Sequence, residues 1–113
     1  MDKITKYKKI ARQIIEQYGV PDQNEAMSEV HTAIVTDDQH GHYILLNLGW
    51  QDNHRTYFPY LHLDVRNGKI FVEKNHTEIA IAKELEQLGV PKDDIVLAFH
   101  APYKRQFSGY ALA

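Results

Sequence analysis

Two adjacent residues, Asn67-Gly68, constrain this chain more than any others. Set between alternating runs, an Asn-Gly pair makes a two-residue type I′ hairpin turn, because both central positions need positive φ and these residues tolerate it best. Such a turn predicts a register. Val65 should face Ile70 and Leu63 face Val72 on one side, with Asp64 opposite Phe71 and His62 opposite Glu73 on the other.

The rest of the chain can be laid out from that hairpin. Upstream, a strand over about Tyr57–Arg66 carries Pro59, which lacks an amide donor and so belongs at an edge or a bulge. Two further β-rich runs, Glu29–Thr36 and His42–Trp50, are separated by a five-residue loop ending in Gly41. In the second, Ile44, Leu46, Leu48 and Trp50 share a face while Leu45 points the other way, as in a central strand covered on both sides. Gln51-Asp52-Asn53-His54 reads as a turn and Asp22–Ser28 as a loop.

Ile4, Tyr7, Ala11, Ile14, Ile15 and Tyr18 recur at helical spacing, with Asp2 as N-cap and Gly19-Val20-Pro21 as the stop. A second helix is expected over Glu78–Leu88, capped by Thr77 and turning Ile81, Leu85 and Leu88 inward. Gly89 suits the left-handed position after its end, Val90 can fold back on Leu85, and Pro91 prevents continuation. An uncharged strand, Ile95–Phe99, follows. The expected architecture is therefore α+β: an N-terminal helix, an antiparallel four-stranded meander, a second helix and a C-terminal strand, with the helices on one sheet face.

At 113 residues the chain is one domain, residues 1–113, with room for a single core. There is no cysteine, hence no disulfide or thiolate chemistry, which suits a cytoplasmic protein. No apolar run approaches the roughly 18 residues a membrane span needs. The formal net charge of −2 argues against a general nucleic-acid coat. Yet Lys3, Lys6, Lys9 and Arg12 crowd the first helix, where they offer either a solvated face or a local DNA contact.

Three groups of residues are candidates for function. His100, Tyr103, Lys104 and Arg105 could form an anion or partner site, Arg105 acting as a bidentate clamp. By strand alternation His100 should project opposite to Ile95, Leu97 and Phe99. His62 and Asp64 suggest a carboxylate–histidine grouping, but the convergent carboxylates of a metal nuclease are absent, and neither a metal centre nor a cofactor is expected. Aromatic residues are numerous for so small a core, and Phe58, Tyr60, His62, Phe107 and Tyr110 are candidate interface residues for self-association or a heterologous protein.

HYILLNLGW at 42–50 and the whole stretch from His62, including Asn67-Gly68-Lys69-Ile70, Thr77-Glu78, Gly89-Val90-Pro91-Lys92, Asp94-Ile95-Val96-Leu97, Phe99-His100, Arg105 and Gly109-Tyr110-Ala111, resemble the XisI family, the fdxN element excision controlling factors. Phe71 stands where the family pattern leads one to look for Trp, and Asn75-His76 where it has an Asp-Gly-like pair. The resemblance implies a non-catalytic accessory role in programmed DNA excision by a site-specific recombinase. It also implies a second factor, XisH, as the protein partner, with any DNA contact indirect. Two other readings stay open on the residues: a nuclease or nuclease subunit using His100, Arg105 and Asp64, and direct DNA binding through the basic first helix.

Overall fold

The computed structural model describes residues 2–19 and 29–113, so the loop expected at Asp22–Ser28, and Val20-Pro21 before it, lie outside the described residues. Elements follow in the order α1 (Lys3–Tyr18), β1 (Val30–Asp37), β2 (His42–Gln51), β3 (His54–Arg66), β4 (Lys69–Asn75), α2 (Ile81–Gln87) and β5 (Ile95–Val96). The strands form one sheet in the order β1-β2-β3-β4-β5. The first four make the antiparallel meander; β5 then runs parallel to β4, pairing Ile70 with Ile95 and Phe71 with Val96. A parallel neighbour needs a crossover connection, and α2 supplies it. The sheet is thus mixed and five-stranded.

The Asn67-Gly68 turn takes the expected form, with φ of 54° and 72°. It sets Val65 opposite Ile70, Asp64 opposite Phe71 and Leu63 opposite Val72. Beyond that the register slips. Glu73 is an extra residue on β4, so His62 pairs with Lys74 and not with Glu73. A second bulge makes Tyr60 the extra residue on β3, next to Pro59. Pro59 also lies past the last residue of β3 that pairs with β4, Leu61, where a missing donor costs little.

Asp2 caps α1, its carboxylate accepting from the Thr5 amide at 2.8 Å. The buried stripe of α1 is Tyr7, Ile10, Ala11, Ile14 and Ile15; Ile10 joins it and Ile4 stays exposed. These residues meet Tyr43, Leu45, Leu61, Leu63, Ile70 and Val72 from the sheet and Ile81 and Leu85 from α2 in one core. Both helices therefore cover the same face of the sheet. Helix α2 starts at Ile81, three residues later than expected, and Thr77 is not its cap. The Asn75 carboxamide accepts from the Thr77 amide at 3.2 Å and donates to the Ile79 carbonyl at 2.9 Å, while the Thr77 hydroxyl accepts from the Ile79 amide at 3.1 Å. These local side-chain bonds hold the segment in a turn.

The end of α2 is a Schellman motif. Val90 N–H donates to Leu85 O at 3.0 Å, Gly89 N–H to Glu86 O at 3.0 Å, and Gly89 sits at φ 102°. Past Val96 one further bond ties the chain to β4, from the Ala98 amide to Val72 O at 3.0 Å, and the chain then turns away, the His100 amide donating to Leu97 O at 3.1 Å. The expected strand to Phe99 is two residues long, and a 3-10 turn over Pro102–Phe107 follows.

Candidate functional site: an aromatic turn, a polar sheet cluster and a basic helix

Of the C-terminal residues singled out from the sequence, His100, Tyr103, Lys104 and Phe107 line one depression, while Arg105 and Tyr110 are not part of its lining. Arg105 is occupied by the backbone. Its guanidinium donates to the carbonyls of His100 (3.0 Å), Ala98 (3.2 Å) and Leu112 (3.2 Å), tying both flanks of the 3-10 turn to its middle. Ser108 reinforces the turn, its hydroxyl donating to Arg105 O at 2.8 Å and accepting from the Tyr110 amide at 3.0 Å. With the planar fork of Arg105 filled by three carbonyls, little of it is left for an anion.

What the stapled turn presents outward is aromatic. Tyr103 is 69% exposed and Phe107 81%. With His100, Lys104 and Ser108 they line an open depression of about 430 Å³. His100 does not project opposite to Phe99 as strand alternation predicted. The strand has already ended, and the two rings pack together at 4.5 Å between centroids. Tyr110 has a different place: it packs against the core and its hydroxyl donates to Glu86 at 2.9 Å. Burial, then that hydrogen bond, raises its pKa.

The candidate residues of the sheet also separate. Tyr60, the bulge residue, packs against the core. Phe58 is capped by the Lys74 ammonium, 3.8 Å from its ring centroid, and by the edge of His76. His62 reaches a residue that reading the β3 strand alone could not bring to it. His42 on β2 lies directly opposite Asp64, its Nδ1 3.2 Å from His62 Nε2 and 3.7 Å from Asp64 Oδ1. Arg66 completes the cluster, bonding the buried Asp64 at 2.8 Å and stacking 3.8 Å above Phe71. Burial, and secondarily the neighbouring His42, lowers the His62 pKa below the ordinary value. Among the described residues no group of three or more His, Asp or Glu is placed to hold a metal ion.

On α1 the cations are partly matched by carboxylates. Lys3 pairs with Asp94 at 3.0 Å, and Arg12 with Asp38 at 2.6 Å and Glu16 at 3.2 Å. Asp94 also accepts from the Tyr7 hydroxyl. Burial alone would push the Asp94 carboxyl up; the hydrogen bonds from Tyr7 and Lys3 outweigh it and hold the pKa below the ordinary value. Lys6 stands against Gly89, beyond the last turn of α2. Lys9 remains, lining with Thr5, Lys8, Arg12 and Asp38 a depression of about 470 Å³.

Three further outward side chains carry no partner-facing signal in the sequence beyond their type. Val35, Trp50 and Tyr57 stand on the sheet face away from the helices, 42%, 52% and 67% exposed. Among the described residues no helix is long and apolar enough to cross a membrane.

Fold and surface together define a small α+β domain with a mixed sheet, helices on one face, and outward aromatic groups. The XisI protein family model matches residues 1–112, and the chain belongs to the XisI family. No curated protein is similar enough to count as a match. Two crystal structures are similar over nearly their whole length, both from Anabaena variabilis ATCC 29413. One, of a XisI-like protein, is 36% identical, with 97% of this chain and 99% of that one covered and a TM-score of 0.87. The other, of the fdxN element excision controlling factor XisI, is 34% identical, with 99% and 100% covered and a TM-score of 0.87.

Proposed function

We propose that this protein is a controlling factor for DNA excision that acts by binding a partner protein, an XisH-like factor, and leaves strand cleavage to a site-specific recombinase. The role in excision follows its relative, the excision controlling factor XisI. The observation that carries the binding mode is the stapled C-terminal turn. Tyr103 and Phe107 are held out in water on a segment whose backbone is fixed from behind by Arg105. Large aromatic side chains on a preorganised segment lose little conformational entropy on docking, which is what a binding anchor requires. Lys104 is the charge beside them, and no carboxylate occurs between Ile95 and Ala113, so the complementary surface is apolar with an acidic flank.

Direct DNA binding by α1 is the weaker reading, because Lys3 and Arg12 already have carboxylate partners. A co-purification experiment with an XisH-like protein tests the proposal. Retention of the partner by wild-type protein, and its loss with Tyr103→Ser plus Phe107→Ser, is expected. Failure to retain it with or without DNA would remove the proposal's support.

A further inference from the structure

Strand β2 carries an apolar face turned away from the helices, on which Ile44, Leu46 and Leu48 are half-buried and Trp50 is exposed. Tyr43 and Leu45 point into the core, so Ile44, Leu46, Leu48 and Trp50 must point to the opposite side. An antiparallel sheet with one wet face normally places polar residues at such positions; three aliphatic residues and a tryptophan in alternation are the pattern of a sheet covered twice. Cross-strand pairing widens the strip. Val35 lies beside Ile44, Ala33 and Pro59 flank Leu46, and Tyr57 lies beside Leu48.

We infer that this face seats a second copy of the same chain, sheet against sheet. Three observations select that occupant. The first is size. Trp50 and Tyr57, 52% and 67% exposed, leave on the order of 250 Å² of aromatic surface in water between them. With Val35 and the outward aliphatics the patch is on the order of 550 Å², the size at which an exposed apolar patch on a monomer usually has a function. Covered by its own copy, it removes about 1,100 Å² in total, just above the roughly 1,000 Å² that a specific interface should clear.

The second observation is charge. Among the described residues of the pairs that make up the strip, from Val35–Ile44 to Trp50–Arg55, the charged side chain is Arg55, whose guanidinium lies 5.7 Å from the centroid of the Trp50 ring. A face without charge has little with which to specify a foreign partner, whereas twisted sheets stack on one another at about 10 Å through apolar contact alone. The third is shape. In the middle row Leu46 stands between Ala33 and Pro59, a large residue between two small ones, so a knob and its neighbouring hollows lie on the same row. A surface that carries both can meet itself across a twofold axis, as an isologous contact demands. The contact leaves the aromatic C-terminal turn free, and it stands or falls independently of the partner-binding proposal.

Sedimentation equilibrium across a wide concentration range, read beside the emission of Trp50, the single tryptophan, tests the inference. A dimer with a dissociation constant on the order of 1 µM is expected. The emission should shift to shorter wavelength as the dimer fills. Leu46→Glu should weaken association by at least about a hundredfold, since it would place a carboxylate against an apolar surface. Leu46 faces outward, so the variant should keep its circular dichroism spectrum; if it does not, Tyr57→Ser gives the same reading with less change in charge. A wild-type protein that is monomeric at every concentration would overturn the inference. So would a dimer indifferent to both substitutions, or a face that becomes protected only when a different protein is added.

Discussion

Replacing Arg105 by alanine removes three hydrogen bonds from a charged donor, at 3.0, 3.2 and 3.2 Å, to the carbonyls of His100, Ala98 and Leu112. Such bonds contribute about 1.5–3 kcal/mol each when buried. Arg105 is only half-buried, so solvent screening reduces each to about 0.7 kcal/mol and the sum to about 2 kcal/mol. Lysine supplies a compact donor in place of a planar fork and can keep one of the three carbonyls, so Arg105→Lys should cost about 1–1.5 kcal/mol. Urea titration at constant m measures both. Hydrogen exchange locates the loss: the amides of Ser108 and Ala111, which donate to Arg105 O and Ile95 O, should lose protection, while that of Val65 in the sheet should not. Inorganic phosphate provides the counter-test, because a true anion clamp would make the wild type more stable with added phosphate and the variant insensitive to it. A cost of Arg105→Ala below about 0.5 kcal/mol, or phosphate stabilisation that disappears with Arg105, would refute the staple.

Three other outcomes follow from the fold. Leu85→Ala, at a fully buried position between α2 and the sheet, should cost about 3 kcal/mol by denaturant titration. Gly89→Ala should cost about 1–2 kcal/mol in the same assay, because φ there is 102° while the only neighbour of an added methyl is the movable end of Lys6. For His62, folding lowers the pKa below the ordinary 6.5, so around that pH the unfolded chain binds a proton that the folded chain does not. Stability should therefore fall as the pH drops through about 6.5 toward the folded value, and His62→Gln should flatten that slope in pH-dependent thermal melts.

The parts of this fold that could be read in advance are those fixed by backbone chemistry at single residues. Asn67-Gly68 specified its turn and the nearest three pairs, and Gly89-Val90 specified the end of α2, because few residues tolerate those dihedrals. Pro59 announced its bulge by its missing donor. The bulge at Glu73 leaves no such compositional trace. Each bulge moves every pair beyond it by one, which is why His62 meets Lys74, and why His42 comes to Asp64 across the β2–β3 pair. The C-terminal strand looked longer than it is because Ile95–Phe99 is uniformly apolar, and nothing local marks where hydrogen bonding to β4 stops. Arg105 resembled an anion site because its donors were counted without their acceptors, and those acceptors are backbone carbonyls that no side-chain pattern reveals. The XisI resemblance was carried by strand segments such as 42–50 together with short motifs at turns and helix ends, among them Asn67-Gly68 and Gly89-Val90, whose role is structural.

The proposed function has this protein grip another polypeptide through Tyr103 and Phe107. Isothermal titration of the purified chain into a purified XisH-like partner, wild type against the Tyr103→Ser plus Phe107→Ser variant, addresses it most directly. A saturable complex is expected, with an affinity that falls at least tenfold in the variant, about 1.4 kcal/mol or more. Equal affinity in the two proteins, or no heat of binding from a folded wild-type chain that instead cleaves DNA with a divalent metal, would contradict it.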